Sequence, residues 1–234
     1  YEFELNAKII DWEVEPGKIV QAWAYNEQVP GPWIKVPRNA RVRVTLTNEL
    51  PASTDIHFHG ISTPFVADGV ADLTQPFIKP GETYVYEFIT PDRDEMGMYH
   101  AHAHGYEAVV NGLFALFQVG DMPLPNPASI PVINGRTLPA DLTPTQEIPM
   151  VLNDAGTIGL TLNGKGYPAV DPIIATVGES VMIHYYNDGL MPHPLHLHHV
   201  PQLVIAKDGF PLAVPYWADT INVAPGERFT VMIF

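Results

Sequence analysis

The sequence predicts an all-β protein built from two β-sandwiches in tandem. Three observations lead to this fold class: apolar and polar residues alternate with a period of two, glycine and proline interrupt the chain often, and a set of motifs occurs once in each half. The 234 residues include 24 prolines and 18 glycines, which suits many short strands joined by tight turns. No stretch shows the sustained periodicity of a long amphipathic helix.

Three segments of the first half carry the clearest strand signals. Val42, Val44 and Leu46 alternate with arginine and threonine, which predicts a strand with one wet face. Tyrosine and phenylalanine alternate with other residues in the same way over 84–88, directly after a Lys-Pro-Gly turn. The nearly all-apolar run over 113–119 is bounded by glycines and predicts a strand buried on both faces.

A proline-rich connector predicts the domain organisation. Seven prolines lie over 121–149, and proline fixes φ and withholds a backbone donor, so we expect this stretch to stay out of the sheets. Apolar residues at positions 130, 132, 133 and 138 predict a connector that lies against the surface. We therefore expect a first domain over 1–120, a linker over 121–146 and a second domain over 147–234.

The second half repeats motifs of the first. The triplet His57-Phe58-His59 matches His196-Leu197-His198, and the turn Pro80-Gly81-Glu82 matches Pro225-Gly226-Glu227. In the first copy another His-x-His motif follows that turn, at His100, whereas the second copy reaches Phe234 before an equivalent position. We therefore expect the second domain to be cut short, with a further motif following Phe234 in a longer natural chain.

Composition excludes several classes of function. Twelve basic residues against 26 acidic ones give a net charge of −14, which argues against nucleic acid or an anionic membrane as partner. There is no apolar run of about 18 residues, the length that a transmembrane helix needs. Cysteine is absent, so these residues hold no disulfide, thiolate zinc site or cysteine nucleophile.

Nine of the ten histidines fall into three clusters, at 57–59, 100–104 and 193–199. A spacing of i, i+2 on a strand places two side chains on one face, and neutral imidazole is the commonest protein ligand for transition metals. Three such pairs predict a metal centre rather than ordinary surface histidines. His184 stands alone in an alternating strand, and we expect it to be structural.

These motifs resemble those of the multicopper oxidases, and their layout is similar to the two-domain, small-laccase-like type. Residues 57–60 (His-Phe-His-Gly) resemble the first copper motif of that family, 99–102 the second and 193–198 the third. Residues 26–32 resemble its opening motif, and 68–70 resemble the stretch after the first copper motif. The motifs occur in the family's order, so the resemblance covers nearly the whole chain.

The resemblance implies cupredoxin-like Greek-key sandwiches and an oxidase with copper as its cofactor. It implies one-electron oxidation of phenolic, aromatic amine or metal-ion substrates, coupled to four-electron reduction of dioxygen to water, in an extracytoplasmic (periplasmic or secreted) location. Asp68 would assist proton delivery to oxygen. The metal ligands that the resemblance implies are His57 and His196 for type 2 copper, His59, His100, His102 and His198 for the two type 3 coppers, and His193 for type 1 copper.

The sequence also departs from the family pattern. The His-Cys-His motif that supplies the type 1 thiolate is absent, and Met98 stands where the family usually has tryptophan. A type 1 site in the second domain therefore requires the expected motif beyond Phe234. If Phe234 were the natural end, the alternative is a non-enzymatic copper-binding or copper-buffering protein. The segment 100–112 also lacks cysteine, which disfavours a type 1 copper site in the first domain and electron transfer through that domain as in nitrite reductases.

The division of the implied ligands between the two halves predicts an assembly. Four histidines come from the first domain and the other cluster ligands from the second. Closing a ring lets the first domain of each subunit meet the second domain of the next, so we expect a homotrimer with copper clusters between subunits. The reductant and the roles of His104 and His199 stay open.

Overall fold

The computed structural model describes residues 1–133, 135 and 137–234, and β-strands dominate it. The helical elements are α1 (Gly105–Ala108) and two single 3₁₀ turns at Phe65–Ala67 and Pro127–Ser129. None of the described helices has the length and apolar character needed to cross a membrane. The strands are β1 (Glu2–Glu15), β2 (Lys18–Tyr25), β3 (Ile34–Val36), β4 (Arg41–Asn48), β5 (His57–His59), β6 (Thr83–Ile89), β7 (Glu95–His100), β8 (Phe114–Val119), β9 (Gln146–Ala155), β10 (Gly159–Leu162), β11 (Val181–Asn187), β12 (His193–His196), β13 (Gln202–Lys207), β14 (Phe210–Ala218), β15 (Thr220–Val223) and β16 (Arg228–Ile233).

The first sandwich consists of two four-stranded sheets, in the orders β2-β1-β4-β6 and β3-β8-β7-β5. The alternation predicted for β4 is confirmed, since Val42, Val44 and Leu46 are all fully buried between the sheets while Arg41 and Arg43 are exposed. Aromatic rings are dense in this core, where Phe58 packs edge to face against Tyr86, Phe88 and Phe117. These ring contacts stabilise the core beyond the burial of apolar area.

The second sandwich packs a six-stranded sheet, in the order β10-β9-β11-β16-β13-β14, against the two-stranded sheet β12-β15. Val181, Ile183 and Tyr185 of β11 face Ile221 and Val223 of β15 in its core. With two tandem sandwiches and no long helix among the described residues, the predicted all-β fold class is confirmed.

A third apolar core lies between the sandwiches. Met98 and Leu116 of the first sandwich pack in one cluster with Met182, Leu203 and Met232 of the second. This explains why residues 113–119 are apolar without alternation: odd-numbered side chains of β8 fill the core of the first sandwich, and even-numbered ones fill the core between sandwiches.

The repeat predicted from the sequence recurs in local structure. Gly81 and Gly226 have nearly equal positive φ values, 81° and 80°. Each follows a proline in a turn where a glutamate side chain, Glu82 or Glu227, accepts a hydrogen bond from a backbone N–H three residues earlier. The two Pro-Gly-Glu sequences therefore encode the same turn in both sandwiches.

The connector differs from expectation in two places. Ile130 is buried in the core between the sandwiches as expected, but Val132 is almost fully exposed. The expectation that the prolines stay out of the sheets is wrong at Pro149, which lies within β9. Because β10 pairs only with residues 152–155, Pro149 occupies an edge segment, where a missing N–H is tolerated. Two connector positions, 134 and 136, lie outside the described residues.

Candidate metal centre

The first histidine group lies where β5 pairs with β7. Antiparallel register puts His57 directly opposite His100, and the two-residue period puts His59 on the same face as His57. The short strand β5 is held on that sheet edge by Phe58, whose fully buried side chain points into the core. The sequence thus places three imidazoles together through strand register alone.

Imidazole nitrogens of His57, His59 and His100 lie within 4.8 Å of one another, the only such group of three potential metal ligands in the described ranges. The His57 ring centroid is 5.4 Å from that of His100 and 5.7 Å from that of His102. His102 therefore borders the group from the segment after β7.

Hydrogen bonds orient two of these rings. His57 Nδ1 donates to the backbone oxygen of Asp68 at 2.8 Å, and His100 Nδ1 donates to that of Ala101 at 2.9 Å. A carbonyl oxygen only accepts, so Nδ1 carries the proton in both rings and Nε2 keeps its lone pair. That lone pair is what a metal ion requires.

Burial keeps two of the three rings, those of His59 and His100, uncharged. It lowers the pKa of His100 to about 3, and burial together with the Arg228 guanidinium lowers the pKa of His59 to about 4. Both rings are therefore neutral near pH 7, and neutral imidazole is the form that binds metal. An all-imidazole donor set suits copper or zinc rather than calcium or magnesium, so the residues present fit the copper that the motifs imply.

Two acidic residues frame the group. Asp55, which is fully buried, accepts hydrogen bonds from the backbone N–H groups of His102 and Ala103, at 2.6 and 2.8 Å, and so fixes the segment after β7. The Asp68 carboxylate, which motif resemblance singled out, lies 3.7 Å from His57 Nδ1. Asp55 has no motif signal in the sequence, because its contact spans more than 40 residues.

The histidines of the second sandwich form a separate group. His193 and His196 lie on β12, and the ring centroids of His196 and His198 are 5.1 Å apart. His193 Nε2 contacts the carboxylate of Asp154 at 2.7 Å, and His196 Nδ1 donates to the backbone oxygen of Asp219 at 3.1 Å. Sequence reasoning missed both acidic partners. His196 and His198 are exposed, unlike the half-buried rings of β5 and β7.

The remaining histidines take other positions. His184 is buried between Thr230, 2.9 Å from Nδ1, and Glu147, 3.0 Å from Nε2, which supports the structural role expected of it. His104 adopts φ = 55° at the start of α1, and its Nε2 lies 3.2 Å from the Ser53 hydroxyl. The ring of His199 stacks edge-on with that of His198.

A cavity of about 500 Å³ opens beside the first group. Its walls come from both sandwiches: His59, His100 and His102 on one side, and Asp188 and Gly226 among the residues on the other. The two sandwiches of one chain therefore enclose space next to the candidate ligands, and a small molecule can reach them from solvent.

Known proteins are similar to this chain in sequence and in fold. One multicopper oxidase family model matches residues 6–123 and a second matches residues 137–234. Laccase-19 of Oryza sativa subsp. japonica is 30% identical over 226 residues, covering 90% of this chain. Laccase abr2 of Aspergillus fumigatus is 39% identical over 101 residues, 42% of this chain. The chain spans 38% of the length of the rice laccase and 16% of the fungal one.

Solved structures agree. The multicopper oxidase mgLAC superposes with a TM-score of 0.86 at 31% identity, over 99% of this chain and 75% of that one. A blue copper oxidase from Nitrosomonas europaea gives 0.85 at 28% identity, over 99% and 74%. The cupredoxin-like character of the two sandwiches is thereby confirmed. With both halves matched by family models, the chain belongs to the multicopper oxidase family.

Proposed function

We propose that this chain is part of a laccase-like oxidase that couples one-electron oxidation of phenolic, aromatic amine or metal-ion substrates to reduction of dioxygen to water. The observation that carries the proposal is the group of three imidazoles that strand register brings together at the β5–β7 edge. Family membership implies copper, which when bound supplies one-electron transfer and dioxygen chemistry. The reducing substrate and dioxygen are the proposed small-molecule partners.

The ligand assignment is part of the proposal. His57 and His196 would hold type 2 copper and His193 type 1 copper, with His59, His100, His102 and His198 for the type 3 pair. Support comes from the Nδ1 atoms of His57 and His100, which donate to backbone carbonyls and so leave the Nε2 lone pairs for a metal ion. Asp154 supports His193 in the same way, because a carboxylate partner fixes the orientation of a ligand ring.

Asp68 is proposed to assist proton delivery. Its carboxylate is 37% exposed while lying 3.7 Å from His57 Nδ1, so one carboxyl group touches both solvent and the imidazole group. A residue in that position can take a proton from water and release it beside the centre.

We further propose a homotrimer in which copper clusters lie between subunits. His196 and His198 are exposed, and the close group of ligands in the described part of the chain contains neither. In the proposed assembly, these exposed histidines form a complete copper site together with histidines of a neighbouring copy. A head-to-tail contact of this kind must close into a ring to avoid a filament. Light scattering of the natural protein should give three times the subunit mass. A strict monomer with full oxidase activity would refute the trimer.

The experiment that tests the proposed function combines metal analysis with oxygen uptake. Natural protein matured with copper should contain several copper ions per chain and consume dioxygen with a phenolic dye as reductant. Stoichiometric zinc with negligible copper contradicts the proposal. Copper without any oxygen uptake favours the copper-buffering alternative. An extracytoplasmic location, which we also propose from the family resemblance, is tested by fractionation of the source cells.

A further inference from the structure

A second carboxyl group lies at the cavity beside the histidines. Asp188 follows the last residue of β11, in the second sandwich, and lines the cavity that His59, His100 and His102 line from the first. Asp188 is only 8% exposed, and its Oδ2 has no hydrogen-bond partner among the described residues. A buried carboxyl oxygen without a partner is costly, so its position calls for an explanation.

The cation that acts electrostatically on Asp188 does not provide that explanation. The Arg228 guanidinium donates to three backbone oxygens, those of Met96, Gly226 and Asp208, at 2.9–3.0 Å. Burial raises the pKa of Asp188 to about 7, even though the Arg228 charge acts in the opposite direction. Asp188 is therefore a carboxyl group that holds a proton over part of the neutral range.

The local turn does not need this carboxyl group either. Asn187 Oδ1 accepts from the N–H of Gly189, and Asp154 accepts from the N–H groups of Leu190 and Met191. The backbone N–H of Asp188 itself donates to Leu152. Other side chains and the backbone thus fix the turn, and the Asp188 side chain is left facing the cavity.

We propose that Asp188 is a proton-donating residue for dioxygen reduction in this cavity, in addition to Asp68. The proposal rests on the proposed oxidase function. Reduction of one dioxygen to two waters consumes four electrons, which the reducing substrate supplies, and four protons. In each donation the carboxyl O–H bond breaks, the proton passes through cavity water to the oxygen being reduced, and the carboxylate regains a proton from solvent through the cavity mouth.

Among the groups around Asp188, Arg228 is the charge that acts on the pKa of Asp188. Burial raises the pKa values of Tyr25 and Tyr186, which keeps both phenols neutral. It lowers those of His59 and His100, which are neutral as well. The titratable and charged groups around Asp188 are Tyr25 on β2, His59 on β5, His100 and His102 at the end of β7, Tyr106 on α1, Asp154 on β9, Tyr186 on β11 and Arg228 on β16.

The first arm of the test needs no metal. Infrared spectroscopy of the metal-free protein should find a protonated carboxyl C=O band that titrates near pH 7. The band should vanish in Asp188→Asn, shift in Asp188→Glu and persist in the control Asp121→Asn, which changes an exposed aspartate. A wild-type protein without such a band at pH 5–7 overturns the proposal.

The second arm uses the copper-loaded natural protein. Asp188→Asn should lower oxygen turnover about a hundredfold at pH 7, the scale of general acid catalysis, while anaerobic reduction by the substrate keeps its rate. Asp188→Glu should restore part of the turnover and move the pH profile. Unchanged turnover and pH profile in Asp188→Asn overturn this inference alone. A wild-type protein that consumes no dioxygen overturns it together with the proposed function, and if Asp188→Asn does not fold, the band and profile of Asp188→Glu decide.

Discussion

At the scale of single residues, the histidine group combines metal ligation with a scaffold that does not depend on it. His59→Ala and His102→Ala should each abolish copper-dependent oxygen uptake and leave the fold intact. β5 is held by pairing with β7 and by buried Phe58, and Asp55 holds the segment after β7 through backbone N–H groups, so neither imidazole is needed for folding. Circular dichroism and oxygen uptake with a phenolic dye test this, with His104→Ala as the matched control. Turnover near that of the wild type in either variant would contradict the ligand assignment.

The pair His184–Glu147 makes stability depend on pH. The hydrogen bond from His184, with that from Lys35, lowers the pKa of Glu147 to about 2. Below about pH 4.5, Glu147 binds a proton in the unfolded chain but stays ionised in the folded chain. The stabilisation is therefore present above pH 4.5 and is lost toward pH 2. Burial lowers the pKa of His184, so below about pH 6.5 this residue binds a proton more readily in the unfolded chain than in the folded one. Its contribution to the stability of the fold therefore already weakens below about pH 6.5.

Glu147→Gln should therefore lower stability at pH 7 and flatten the loss between pH 4.5 and 2. Denaturant midpoints of the metal-free protein across that range measure the effect. Glu2→Gln, at an exposed site on β1, serves as the control. If Glu147→Gln and Glu2→Gln show the same acid profile, the hydrogen bond to His184 does not stabilise the fold.

At the scale of elements, the loop after β5 places Asp68 against His57, and this placement depends on the glycine that follows Asp68. Gly69 has φ = 84°, and a Cβ there would lie 1.6 Å from the backbone oxygen of Ile56. Gly69→Ala should cost about 3 kcal/mol or more and weaken copper binding, because the loop must move away from His57. Gly81→Ala has a similar φ and open space, so it should cost about 1–2 kcal/mol and spare the metal. Equal copper affinities in the two variants would contradict the proposed role of the loop.

The sequence predicts the elements whose signals are local, and misses contacts that are not. Alternation predicts β4, and the His-x-His spacing places His57 and His59 on one face of a strand, whereas the register that sets His100 opposite His57 is a tertiary fact. The partnership of Asp154 with His193 joins residues 39 positions apart, and no periodicity encodes it. Pro149 within β9 likewise depends on where β10 ends, which is a tertiary fact.

At the scale of the whole molecule, Arg228 links the two sandwiches. It lies on β16, donates to Met96 on β7, and packs so tightly on Gly60 that a Cβ there would lie 2.4 Å from a guanidinium nitrogen. Arg228→Met should destabilise the protein by about 3 kcal/mol, since buried carbonyl oxygens lose their donors. Lys207→Met removes a partly exposed ion pair with Glu227 and should cost under about 1 kcal/mol. Equal thermal midpoints for both variants would contradict this role of Arg228.

The apolar core between the sandwiches has a consequence for biosynthesis. The ribosome completes the first sandwich before the second exists, and until then Met98, Phe114 and Leu116 have no cover. At about 5–20 residues per second, translation of the 111 residues over 124–234 leaves that surface open for about 6–22 seconds. Nascent chains in this window are the form most exposed to aggregation and to chaperone binding, so synonymous codons that slow translation of the second half should lower the soluble yield without changing the mature protein.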